Sequence, residues 1–344
     1  MVDTETLTLF LPSAGRSISD EHWQEIDSEN IKCWSSACSE LRIRSVEYAG
    51  AQVSVEFDWT VMLAAQRSHF ETMEALHAAA GTPEAYRVSE RFSFEPIKVP
   101  VGLAIETDQD KTSTLRAVDS VVESFVYDAF LIMNISAPGC FNLYTASLHS
   151  ADKRIPGKID ASEFYFDLSR IDGRDERWPL PKVLPLESVK EWFFRVRDDV
   201  AQVPRNPTEK VLFAMLHISR MDLSPMVVIW IFYALETLFD TRAGENLRVL
   251  TERIRLLLKP NSHEAKLLKK ELRKLYDLRS SLVHGGLEVT HPMHNEALDS
   301  EVEEKYARLS SSAEFGFRVL LCVVQSLVER GSGWPRFEEV LRDS

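Results

Sequence analysis

From Glu264 to Gly286 the chain reads EAKLLKKELRKLYDLRSSLVHGG. Leu268, Leu272, Leu275, Leu278 and Leu282 recur at spacings of three and four. That period is one buried stripe of an α-helix. Lys266, Lys269, Lys270, Arg273 and Lys274 fill the opposite side, and Gly285-Gly286 supply a natural stop, since glycine accepts the left-handed conformation that ends a helix. The neighbouring segments carry the same period. Helices are predicted over 208–221, 225–241, 245–258, 262–284 and 301–330, with a short one near 335–342. Short breaks between amphipathic helices give an antiparallel bundle.

The first half of the chain reads differently. Thr6 to Leu11 is a predicted strand. Leu41 to Tyr48 and Gln52 to Trp59 alternate apolar and polar residues about a Tyr48-Ala49-Gly50-Ala51 turn, which is a hairpin signal. Further strands are expected over Tyr86 to Phe94, Val99 to Glu106 and Phe164 to Leu168, with helices over Met62 to Ala80 and Val118 to Ile135. Ser19 to Ser39 has helical Trp23 and Ile26 but several polar interruptions, and stays open. No Gly-rich loop follows a strand, which argues against a nucleotide-binding α/β unit. Pro179, Pro181 and Pro185 mark an extended connection. The expected class is therefore α+β: a mixed strand and helix domain over residues 1–175, a Pro-rich linker over 176–186, and a helical domain over 187–344. A chain of 344 residues has room for about two such domains.

The net charge of −13 argues against a protein that binds nucleic acid over its whole surface. Residues 241–287 run the other way, with eleven Lys or Arg against five Asp or Glu. A local basic face on an acidic chain is what an RNA site requires, and it is equally what a solvated helix face looks like. Cys33, Cys38, Cys140 and Cys322 form no CxxC pair and no zinc spacing, as expected of reduced thiols in the cytoplasm. The start of the chain, MVDTETLTLF, lacks the basic and apolar regions of a signal peptide. The apolar run Met226 to Leu235 is far short of the ~20 residues that span a bilayer.

Arg279-Ser280-Ser281-Leu282-Val283-His284 closes the leucine-striped helix. Tyr276 precedes the Arg by three residues, a small polar residue follows it, and Val283-His284-Gly285 ends the run. Upstream lie WIFYALETLF (Trp230 to Phe239), an apolar helix with one acid, Glu236, and then LRVLTERIRLLL (Leu247 to Leu258). Together these segments resemble the HEPN family, whose hallmark is Arg, four to six residues, then His, and within it the ApeA-type branch associated with abortive phage infection. The resemblance covers roughly Pro207 to Arg330. It implies a HEPN helical bundle and a metal-independent endoribonuclease of bacterial anti-phage defence, cytoplasmic and without cofactor. It implies cleavage of a cellular RNA such as tRNA at a composite site across a homodimer, with Arg279 and His284 catalytic. The N-terminal domain would then sense a phage-derived trigger or a regulatory partner. The alternative is a HEPN fold that holds RNA or a protein partner and does not cut.

The residue types fit that chemistry. Cutting RNA without a metal requires a base for the 2′-hydroxyl proton, an acid for the leaving 5′-oxygen, and a cation on the phosphorane. Histidine, with an ordinary pKa of about 6.5, suits the proton transfers. Arginine presents a fixed fork of donors to phosphate. One Arg and one His are too few for two proton transfers, whereas two copies supply two of each. A buried lone acid demands a cation, so Glu236 is expected beside Arg279, where it would orient the guanidinium, or beside Arg253. Tyr276 stacks on a base, bonds a phosphate, or packs beside Leu272 and Leu275. Ser280 stands where the family more often has Asn or Asp. Lys269, Lys270, Arg273 and Lys274 are the RNA-binding candidates, and no metal ligands are expected.

Overall fold

The computed structural model describes residues 2–13, 22–106, 118–150, 157–176, 178–197, 199–220, 224–241, 247–291, 295 and 297–337. The chain is α+β, an antiparallel sheet followed by helices. It divides into two compact units. One comprises residues 1–163, 183–191 and 198–202, and the other 164–182, 192–197 and 203–344.

The first unit is built on six strands: β1 (Val2–Leu11), β2 (Ile43–Tyr48), β3 (Ala51–Phe57), β4 (Ile97–Glu106), β5 (Ala146–Ser150) and β6 (Gly157–Ile159). Their order is β2-β3-β4-β1-β5-β6, antiparallel throughout. The period-two pattern sets the register. Leu7 and Leu9 face Val101 and Val99, and Val53 and Val55 face Ile105 and Leu103. All eight are buried on one face of the sheet. The expected hairpin is β2-β3, turning through Ala49 and Gly50, both at positive φ. With the strands belong the helices α1 (Trp23–Glu40), α2 (Thr60–Ala78), α3 (Glu84–Ser89) and α4 (Val118–Ser136), and residues 183–191 of the later chain. Trp34, Phe57, Trp59, Phe130 and Phe141 form its aromatic centre, with ring centroids 4.8–6.3 Å apart. The indole N–H of Trp34 donates to Cys140 O and that of Trp59 to Leu41 O, so neither is buried unsatisfied. Asn134, fully buried, holds the turn after α4. It donates to Phe130 O and Phe141 O and accepts from Gly139 N.

Two expected strands are helices. Tyr86 to Phe94 contains α3; Tyr86 and Phe94 are exposed and only Val88 is buried on the helix, so no sheet face claims the aromatics. Phe164 to Leu168 opens α5 (Phe164–Glu176). Its Tyr165, Phe166, Ser169 and Arg170 are buried, which is a helical stripe, and Tyr165 and Phe166 pack on Phe317 at 5.7 and 4.9 Å.

The other helices are α6 (Leu186–Val196), α7 (Pro207–Ser219), α8 (Met226–Leu238), α9 (Leu247–Leu258), α10 (Ser262–Val283) and α11 (Glu301–Arg330). In the second unit α11 packs against α5, α8, α9 and α10. Among the described residues α11 is the one helix long and apolar enough to cross a bilayer, and 83% of its most apolar window is buried inside the protein. Its apolarity is that of a core helix.

In the Pro-rich stretch 176–186, expected as an extended connection, Leu180, Lys182, Val183 and Pro185 are exposed. Pro179, Pro181, Leu184 and Leu186 are buried. Lys182 N–H donates to Gln325 Oε1 at 2.9 Å, Gln325 Nε2 donates back to Lys182 O at 2.7 Å, and Lys182 Nζ pairs with Glu329. Leu184 N–H donates to Ser136 O, and Ser136 Oγ donates to Leu184 O. The helical unit takes in Phe164–Lys182, and Val183–Glu191 packs with the sheet unit, so the two units are interleaved along the chain where one cut near 176–186 was expected. Residue 177 and most of the helix expected near 335–342 lie outside the described residues.

Candidate functional site

The site is organised by α10. Asn261 Oδ1 accepts from the N–H groups of His263 and Glu264, and Glu264 Oε2 accepts from Asn261 N–H. This reciprocal cap fixes where the first turn begins. Leu268, Leu272, Leu275 and Leu278 are buried as the stripe requires, and Leu282, the last of it, is half-buried. At the other end His284 is the C-cap residue, its N–H donating to Ser280 O at 3.0 Å. Gly285 follows at φ 71°, and the N–H groups of Gly286 and Leu287 both donate to Ser281 O. A Cβ at Gly285 would meet open space, so it is the left-handed backbone that calls for glycine there. His284 is therefore delivered, exposed, at the point where the helix ends.

Arg279 lies five residues earlier, about 140° around the helix from His284. It is half-buried, and its Nη2 lies 3.4 Å from Glu236 Oε2 on α8. Of the two partners open to Glu236, Arg279 is the one it has. Arg253 donates instead to Phe239 O and Asp240 O, just past the end of α8. The Glu236–Arg279 contact is longer than a tight charge-assisted bond of about 2.7–2.9 Å, and it engages one of the five N–H donors of the guanidinium. Burial pushes the Glu236 carboxyl above the ordinary carboxylate range, and the charge of Arg279 partly offsets that push.

Phe232, one turn before Glu236 on α8, completes the setting. The Arg279 guanidinium sits 5.4 Å from its ring centroid, and Tyr276 meets it edge-on at 5.9 Å. Phe232 went unnoticed in the sequence. Its signal was the four-residue spacing from Glu236, which places both on one face of α8. Tyr276 is half-buried against this ring, with the Arg273 guanidinium 5.9 Å from its own centroid. Ser280 is half-buried and contributes its carbonyl to the His284 N–H.

Lys269, Lys270, Arg273 and Lys274 are all exposed. Glu271 lies 2.9 Å from Lys274 and 3.7 Å from Lys270, and Asp277 lies 3.1 Å from Arg273. Arg273–Asp277 is an exposed pair, a kind worth about 0–1 kcal/mol, whereas Glu271 is half-buried, its side chain 15% exposed. The structure thus brings Arg279, Glu236, Tyr276 and Phe232 into one cluster. It sets His284 and the four basic residues on exposed parts of the same helix. Comparison of the chain with protein-family models, with curated proteins and with solved structures returned no match.

Proposed function

We propose that the chain is a metal-independent endoribonuclease whose helical unit is a HEPN bundle. The observation that carries the reading is the state of Arg279. It is fixed by Glu236 and Phe232, engaged through a single long contact, and set in the last turns of the helix that ends in an exposed His284. In this reading Arg279 holds the scissile phosphate and His284 moves a proton between the 2′-hydroxyl and the leaving oxygen. With about 140° between them on one helix, a single copy offers one acid–base group. A second copy across a twofold axis supplies the other. Tyr233 beside Glu236 in sequence register is 41% exposed and Val283 is 62% exposed, apolar surface that such a partner would cover. By the same reading the protein is cytoplasmic and acts in anti-phage defence on tRNA or another cellular RNA, and the sheet unit receives the trigger.

Imidazole and guanidinium supply both the proton transfers and the positive charge, so cleavage is expected to persist in EDTA. Attack by the 2′-hydroxyl leaves a 2′,3′-cyclic phosphate and a 5′-hydroxyl, and a 2′-deoxy nucleotide at the scissile position blocks cutting. The test is end-labelling of the products of an EDTA digest. Products bearing a 5′-phosphate, or activity restored only by a divalent ion, would overturn the reading. RNA binding with no cleavage, equal in wild type and His284→Ala, would leave a binding module.

A further inference from the structure

Cys33 lies in the middle of α1, and Cys140 follows the turn that ends α4. They are 107 residues apart in sequence, yet their sulfurs are 3.7 Å apart. Both are thiols, 6% and 4% exposed. The pair is held from both sides. Cys33 Sγ contacts Ser136 Oγ at 4.0 Å, and the Cys140 thiol lies 3.3 Å from Met133 O. The Trp34 indole, next to Cys33 in sequence, donates to Cys140 O. Gly139, at φ 80°, precedes Cys140, and its N–H donates to Asn134 Oδ1.

We infer that Cys33 and Cys140 are a modification site, a buried dithiol that a small peroxide oxidises to a reversible intramolecular disulfide. A disulfide needs its sulfurs about 2.0 Å apart, so the two must close by about 1.7 Å. The electrons balance against hydrogen peroxide. One thiol attacks the peroxide oxygen, becomes a sulfenic acid and releases one water. The second sulfur then attacks that sulfenic sulfur, the S–S bond forms, and hydroxide leaves with the second thiol proton as a second water. Two thiols lose two electrons and two protons, and one peroxide becomes two waters. Disulfides in a reducing compartment are usually transient and redox-sensing, and a reductant restores this one.

The other two cysteines are poor competitors. Cys38 follows Cys33 by five residues on α1, so it points about 140° away, and burial with the nearby Asp58 carboxylate raises its thiol pKa. Cys322 lies in the helical unit, where burial pushes its thiol up to about 12.

The test uses the reduced full-length chain. It is treated with hydrogen peroxide at a dose that oxidises its thiols in urea, then denatured, alkylated and weighed. The expected result is the loss of two alkylatable thiols of the four, a cross-linked peptide joining Cys33 to Cys140 that is two hydrogens lighter than its parts, and full recovery with dithiothreitol. Cys33→Ser and Cys140→Ser, each tested separately, should lose the cross-link, and the oxidised wild type should melt at a higher temperature than the reduced form. Four alkylatable thiols after treatment would overturn the inference. So would a cross-link through Cys38 or between chains, or persistence of the same cross-linked mass in Cys33→Ser.

Discussion

Burial holds the Glu236 carboxyl above the ordinary carboxylate range while Arg279, 3.4 Å away, draws it back. The folded chain therefore binds this proton more tightly than the unfolded chain does. The stability that Glu236 contributes is complete below its ordinary pKa and is lost as pH rises through the folded value. Glu236→Gln removes that titration. Denaturant unfolding at several pH values from 4 to 8 should show the variant gaining on wild type as pH rises. The same substitution takes away the charge that orients Arg279, so cleavage should fall even where stability does not. His284→Ala should cost about 10²–10⁴-fold in cleavage rate with RNA affinity kept, because positioned acid–base groups contribute on that scale. Arg279→Lys should also cut poorly, since a point charge does not replace a fork. Single-turnover rates and binding to a 2′-deoxy substrate separate these effects. At this scale the sequence could name the lone acid and its two cationic candidates but could not choose between them. Arg279 and Glu236 are 43 residues apart, and Arg253 is occupied by the Phe239 and Asp240 carbonyls just past α8.

Helix α10 is held at both ends and along its length. Asn261→Ala removes the acceptor for two N–H groups and should lower unfolding stability by about 1 kcal/mol, read as a lower urea midpoint. Gly316 on α11 faces α10 and α8. A Cβ there would lie 2.6 Å from Leu275 Cδ2 on α10 and 3.2 Å from Ile231 Cγ2 on α8. Both side chains are fully buried, so neither has free space to enter. Gly316→Ala should destabilise by about 1–2 kcal/mol, the overpacking cost less part of the helix propensity gained. The helices of this half were legible because their apolar period runs for three turns or more and caps mark the breaks. The hairpin β2-β3 and strand β4 were legible from alternation. The short aromatic runs at Tyr86 and Phe164 were not, because a run of five to nine residues fits either period and only its packing partner decides. Strands β5 and β6, five and three residues long, were too short to leave a pattern.

At the scale of the molecule the proposed reaction requires two chains. Light scattering at micromolar concentration should give twice the chain mass of 39.3 kDa, and a fully active monomer would contradict the composite site. The α+β class was readable from the change of period midway along the chain, but the assignment of 164–191 was not, since side-chain pairing decides it and composition does not. The backbone passes between the two units at 163/164, 182/183, 191/192, 197/198 and 202/203. Interleaving of this kind governs how the protein can be divided. A shortened gene that starts at Glu187, where the proline signal invites the scissors, discards α5 and bares the Phe317 surface of α11 that Tyr165 and Phe166 cover. Such a fragment should go to the pellet, whereas one that starts at Phe164 retains its own lid of aromatics and should express as the more soluble of the two.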